Sequence, residues 1–145
     1  MKGDMHWNYE RWDQRNSAIA AFARGDTAFG WVDGYLDEAA ARNDAMLWCA
    51  QHGPDCEIIE VRGTLAVDER VGLPLSAKMA TILTRVQATP GHTAMAVSDI
   101  GAYGIGRGQT LDVAAANALE ICTSAAAKDR PSFLPTYPCK VIFQR

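Results

Sequence analysis

The sequence predicts an α+β domain: two pseudo-symmetric ββαβ repeats forming antiparallel sheet, with helices packed on one face and a further helix inserted between the repeats. Three observations predict it. Residues 21–49 ("AFARGDTAFGWVDGYLDEAAARNDAMLWC") and 94–122 ("AMAVSDIGAYGIGRGQTLDVAAANALEIC") run parallel in residue type with single-residue slips. Alanine recurs at helical spacing in the second part of each stretch. A cysteine closes each stretch, and a second one opens a short apolar run after it, "CEIIEV" from Cys56 and "CKVIFQ" from Cys139.

The elements follow in order. Ser17–Ala23 and Ala28–Val32 read as strands joined by a turn at Arg24-Gly25-Asp26, a hairpin signal. Asp37 and Thr110 stand where a short side-chain oxygen can cap the free amides of a first helical turn. Ala41, Ala45, Trp48, Cys49 and His52 then form one narrow helix face, as do Ala114, Ala118, Ile121, Cys122 and Ala125 in the second copy. Gly53 suits the left-handed position that ends the first helix. Between the copies, Ser76–Gln87 predicts a helix with Met79, Ile82, Leu83 and Val86 on one side, closed by Pro90-Gly91. The chain reads as a single domain over 1–145, with repeats at 17–61 and 93–145 and the inserted segment at 62–92.

Gly104, Gly106 and Gly108 read as a glycine-rich turn between a strand and a helix, where backbone amides could cradle a phosphate. The spacing G-x-G-x-G departs from the dinucleotide fingerprint G-x-G-x-x-G, and the preceding strand belongs to a hairpin, not to a parallel βαβ unit. Close packing or positive φ at Gly30, Gly104, Gly34 and Gly108 is the expectation instead. Gly106 and Arg107 occur in one copy only and mark a place for a function peculiar to it.

Composition bounds the function. With 145 residues, 48% hydrophobic, 21% charged and a net charge of −3, the chain has the profile of an ordinary globular protein. The basic residues are scattered, which leaves no electrostatic footprint for nucleic acid or an anionic membrane, and no apolar run is long enough for a membrane span. The cysteines pair by position. Cys49–Cys56 and Cys122–Cys139 would each tie a helix end to the following strand, adding about 2–4 kcal/mol per bridge. Such bridges point to a periplasmic or secreted protein, whose signal peptide is not contained in this chain, since "MKGDMHWNYERWDQ" has no apolar core. The alternative is zinc: Cys49, His52 and Cys56 give C-x2-H-x3-C, with His6 or His92 as a fourth ligand. Against it, Ala125 stands at the histidine position of the second copy although both cysteines remain.

The pattern Ala18-Ile19-Ala20, a glycine-containing hairpin, an Ala-x-x-x-Ala-[Leu/Met]-x-x-Cys helix and then Cys-x-[Val/Ile]-[Val/Ile] resembles the repeat domain of unknown function found in small secreted proteins of actinobacteria and proteobacteria. The likeness covers residues 17–61 and 93–143. It implies an exported, disulfide-containing protein, supports the four cysteines and supplies no catalytic residue. The inserted helix departs from the compact pattern.

These readings converge on a non-catalytic, exported binding module, inhibitory or effector-like, that engages another protein or an envelope component without a cofactor. Its candidate interface is the aromatic arm of His6, Trp7, Tyr9 and Trp12. The alternatives are a small-ligand cleft between the repeats, lined by Trp31, Tyr35, Tyr103, Gly106 and Arg107, or a zinc-binding or hydrolytic enzyme if the cysteines are reduced. No nucleophile elbow or metalloprotease helix occurs, and Asp33, Asp37 and Glu38 sit at a helix start, where capping explains them first.

Overall fold

The computed structural model describes residues 18–145, mixed α and β with three antiparallel sheets and three helices among those residues. They fall into two compact units, 18–65 with Ser132–Pro135, and Ala66–Pro131 with Thr136–Arg145.

The first unit runs β1 (Ile19–Arg24), β2 (Phe29–Tyr35), α1 (Glu38–Ala50) and β3 (Glu57–Arg62), with sheet order β2-β1-β3. Burial continues without a break from Ile19 to Ala23, so β1 is a central strand covered on both faces. Its alanines have little strand preference of their own; burial and pairing on either side decide the conformation. Ala23 pairs with Gly30 and Phe22 with Trp31, which places these pairs on opposite faces. The Phe22 and Trp31 rings stack with centroids 6.0 Å apart. On the other face, a Cβ at Gly30 would collide with the carbonyl oxygen of Ala45 and the amide nitrogen of Cys49. Helix α1 can therefore lie close to the sheet only because the strand carries no side chain there.

At the far end of this hairpin, Ile19 pairs with Tyr35 and Ala21 with Val32, so Asp33 and Gly34 together oppose Ala20. This is a bulge, and Gly34 takes φ +79 within it, the conformation that favours glycine. Asp37 caps α1 by accepting from the Ala40 amide at 2.8 Å. The helix stops at Gln51 in right-handed conformation. Gly53 is thus not the left-handed terminator that the sequence suggests. It is instead hemmed in by Thr27 and Ala28.

The second unit contains β6 (His92–Val97), β7 (Tyr103–Gly108), α3 (Leu111–Ala127) and β8 (Lys140–Gln144), in sheet order β7-β6-β8. Ahead of these come the hairpin β4 (Ala66–Asp68) and β5 (Leu73–Leu75), and α2 (Ala77–Ala88), which Ser76 caps through the Met79 amide. Thr110 caps α3 through the Val113 amide. Strand order and helix placement match those of the first unit.

The glycine-rich segment is a strand, not a turn. Gly104, Gly106 and Gly108 alternate along β7, and alternation in a strand sets all three on the face toward α3. A Cβ at Gly104 would strike Ala118 O and Cys122 N, and one at Gly106 would strike Ala114 O and Ala118 N. The same contact thus occurs in both units, from Gly30 to Ala45 and Cys49 and from Gly104 to Ala118 and Cys122. The buried face of α3 is narrower than its periodicity suggests. Ala114, Ala118 and Cys122 are buried, whereas Ile121 and Ala125 are exposed.

Helices do not lie on one face only. The inserted α2 covers the face of the second sheet opposite α3: Thr93 donates its hydroxyl to Val86 O at 3.3 Å, and the Lys78 ammonium stands 5.8 Å from the Tyr103 ring centre. Arg70 ties the β4–β5 hairpin to that helix, reaching Asp68 Oδ2 at 2.6 Å and both Thr84 Oγ1 and Gln87 Oε1 at 2.9 Å. The hydrogen bond from the Arg70 guanidinium holds the Asp68 carboxyl below the usual carboxylate range.

Replacing Gly104 or Gly106 with alanine is expected to cost about 2–3 kcal/mol, since backbone on both sides must separate. Gly72→Ala, at φ +68 with open space around it, bears only the conformational cost of about 1–2 kcal/mol. Urea unfolding of the three variants measures the difference; equal losses would show that close approach is not limiting.

Candidate functional site

The local chemistry of each unit centres on its bridge. Cys49 lies buried near the end of α1 and bonds to half-buried Cys56, which immediately precedes β3. Cys122 lies buried on α3 and bonds to Cys139, which immediately precedes β8. Both pairs have a Cα separation of 6.1 Å and close loops of sequence separation 7 and 17. Since all four sulfurs are bonded, Cys49 and Cys56 offer no thiolate to a metal, and the C-x2-H-x3-C spacing is not a zinc site in this state. His52 is exposed beyond the end of α1. Among the described residues, no group of three or more His, Cys, Asp or Glu is arranged to hold a metal ion.

His6, Trp7, Tyr9 and Trp12 lie outside the described residues. The five cleft residues divide between the units, Trp31 and Tyr35 in the first and Tyr103, Gly106 and Arg107 in the second. Each has a local partner. Trp31 stacks on Phe22. The Tyr35 hydroxyl donates to Asp44 Oδ2 at 2.5 Å. Tyr103 receives the Lys78 ammonium, and Gly106 admits the backbone of α3. Arg107 donates from Nη2 to Pro90 O at 3.4 Å, and its carbonyl accepts from Asn117 Nδ2 at 2.8 Å. On β7, Tyr103 and Arg107 share a face by strand alternation, turned away from α3.

The carboxylates at the first helix start behave as caps and surface charges. Asp37 is the N-cap, and Glu38 accepts from Arg42 Nε at 2.9 Å. The pair of Tyr35 and Asp44 is the polar feature that sequence reading missed. Asp44 is fully buried on α1, and a carboxylate in that position requires a donor. The signal was available: Asp44 falls three residues after Ala41 and next to Ala45, on the inward face. Asn117 occupies the corresponding place on α3, one residue before Ala118, and it too reaches back to the second strand of its hairpin.

A small cavity of about 110 Å³ opens in the second unit between the end of α3 and the segment before β8. Ile100, Ala126, Arg130, Tyr137, Pro138 and Cys139 line it, with the Arg130 guanidinium 5.5 Å from the Tyr137 ring centre. No local pattern points to it, because its walls come from the end of α3 and from the segment Thr136–Cys139, which no short-range periodicity joins. In the first unit, Phe133 from the same long connection meets Trp48 at 5.3 Å. No helix among the described residues is long and apolar enough to cross a membrane. Comparison with known proteins gives no match, whether to a family model, a curated protein or a solved structure.

Tyr35→Phe is expected to destabilise the protein by about 1–3 kcal/mol, because the buried Asp44 carboxylate loses a donor. Combining it with Asp44→Leu should recover part of that loss, and a double-mutant cycle by urea unfolding reads the coupling. Replacing Cys122 and Cys139 together by alanine should cost about 3 kcal/mol, and replacing Cys49 and Cys56 somewhat less because their loop is shorter. Purely additive behaviour of Tyr35 and Asp44 would rule out a specific link between them.

Proposed function

We propose that the chain is an exported, non-catalytic binding module built from two copies of one ββαβ unit, each held by its own disulfide, and that it belongs with the secreted repeat proteins its sequence resembles. The observation that carries this reading is the position of the bridges. In each unit a buried cysteine, one helical turn after an alanine packed on a strand glycine, bonds to the residue before the third strand. Unrelated units would have no reason to repeat that arrangement down to the atoms that a glycine Cβ would strike.

Export is supported by the bonded state of every cysteine, since bridges of this kind persist in the periplasm and outside the cell and are reduced in the cytosol. Binding in preference to catalysis is supported by what the polar side chains do. Asp37, Asp44, Glu38 and the cysteines are each committed to a cap, a buried hydrogen bond, a surface pair or a bridge. A rigid sheet with such fittings presents loops and helix surfaces at low entropic cost to a partner. Helix α3 leaves Leu111, Val113 and Ile121 exposed as single apolar side chains on different sides of the helix, each open to contact by a partner.

The test is intact mass after alkylation, with and without reductant, on protein recovered from fractionated cells of its natural host. The expected result is recovery outside the cytoplasm with four thiols blocked until reductant is added. Four alkylated thiols without reductant, on protein in the cytosolic fraction, would overturn the reading.

A further inference from the structure

The β1–β2 hairpin ends in a tip whose chemistry the fold does not use. Arg24, Asp26 and Thr27 are exposed there, and Gly25 is half-buried. Neither the Arg24 guanidinium nor the Asp26 carboxylate makes a hydrogen bond or ion pair with another described residue. Around them the backbone is fixed. The Gly25 amide donates to Ala28 O at 2.8 Å, and Arg24 is paired on both sides, with Phe29 of β2 and Glu57 of β3. A Cβ at Gly25 would collide with Pro54 O and come within 3.3 Å of Cys56 Sγ, so the loop closed by the Cys49–Cys56 bridge backs the tip. One residue separates the charges, which keeps their Cα atoms within about 7 Å of each other.

We propose that Arg24-Gly25-Asp26 is a recognition element for a receptor protein that holds a divalent cation with an open coordination position beside an acidic pocket. The proposal rests on the reading of the chain as an exported binding module and names the partner of one of its surfaces. The Asp26 carboxylate supplies a hard oxygen ligand that completes the coordination shell of such a cation. The Arg24 guanidinium forms a bidentate pair with a carboxylate in the acidic pocket. Glycine between them lets the tip lie directly against the bridged loop behind it, where a Cβ would strike Pro54 O. Because the tip is already fixed by its hydrogen bond, its strand pairing and the bridged loop behind it, little freedom is lost on binding. The corresponding turn of the second unit, Ser98 to Ala102, carries no arginine, so the element belongs to the first unit alone.

The experiment is surface plasmon resonance of the full oxidised chain over a purified integrin ectodomain of the class that binds arginine-glycine-aspartate loops, in magnesium and in EDTA. The expected result is saturable binding that EDTA abolishes and that D26E weakens at least about tenfold, as a carboxylate one methylene too far out misses the cation. R24K should weaken it as well, since an ammonium cannot make the bidentate pair. Both variants keep an exposed charge at the tip, and unchanged thermal unfolding and intact mass verify that each is folded and bridged. No binding above the EDTA baseline, or equal binding by D26E, overturns the inference. A chain that fails here but is recovered outside the cytoplasm with both bridges intact loses this receptor class and keeps the binding-module reading.

Discussion

The structure depends on how near a helix can come to a sheet. In both units the strand beside the helix carries glycine where the helix backbone crosses, and the helix answers with alanine, so main chain meets main chain with no side chain between. Such an approach buries little apolar area per residue, because alanine and glycine have little to bury. Its strength lies in density and shape: any added methyl group must push backbone, not a pliable side chain. A small core made this way needs fastening from elsewhere, and each bridge ties the helix, through a cysteine in the same contact, to the third strand of its sheet. The bridge and the glycine contact therefore act on the same pair of layers, one by constraining the unfolded chain and the other by fitting the folded one.

Legibility in the sequence follows the range of the interactions. The N-caps Asp37 and Thr110 were readable because a cap is settled within four residues, whereas Ser76, read as the first helical residue, is the cap of a helix that begins at Ala77. The cysteine pairing was readable because each helix cysteine is followed by one other cysteine, 7 or 17 residues on, at the head of an apolar run. The role of Gly104, Gly106 and Gly108 was misread as a turn because glycine alone favours turns, and only the packing of α3 makes a strand glycine favourable. Their period of two was the available clue. Gly53 was misread for the same reason, a tertiary contact with Thr27 and Ala28 being mistaken for a local backbone need.

The candidate sites were less legible than the fold, and physical reasons account for it. Trp31, Tyr35, Tyr103, Gly106 and Arg107 are of types able to line a ligand cleft, and residues of those types are equally able to bind their own neighbours. Tyr35 shows how this works. Its hydroxyl meets a buried carboxylate nine residues away that no local pattern pairs with it. The inserted segment shows the same limit at a larger scale. A helix with Met79, Ile82, Leu83 and Val86 on one side must be covered, but only the fold tells that the cover is the second face of the β7-β6-β8 sheet.

The two units agree in strand order and in the glycine contact with the helix, and they differ in features that lie outside that contact. The shared residues, glycine on the strand and alanine and cysteine on the helix, are fixed by packing and carry no information about a ligand. The unshared features are the charged tip of the first hairpin, the bridged loops of separation 7 and 17 and the inserted α2. Of these, α2 and the longer loop are absorbed into structure, one by covering a sheet face and the other by sending Phe133 onto Trp48. The hairpin tip differs from them in a physical respect: it holds two opposite charges on a hydrogen-bonded, strand-paired backbone, and neither charge makes an ion pair with a described residue. Charges left unpaired on a mobile loop are merely solvated, whereas charges left unpaired on a fixed one keep a constant geometry, which is what a specific partner requires.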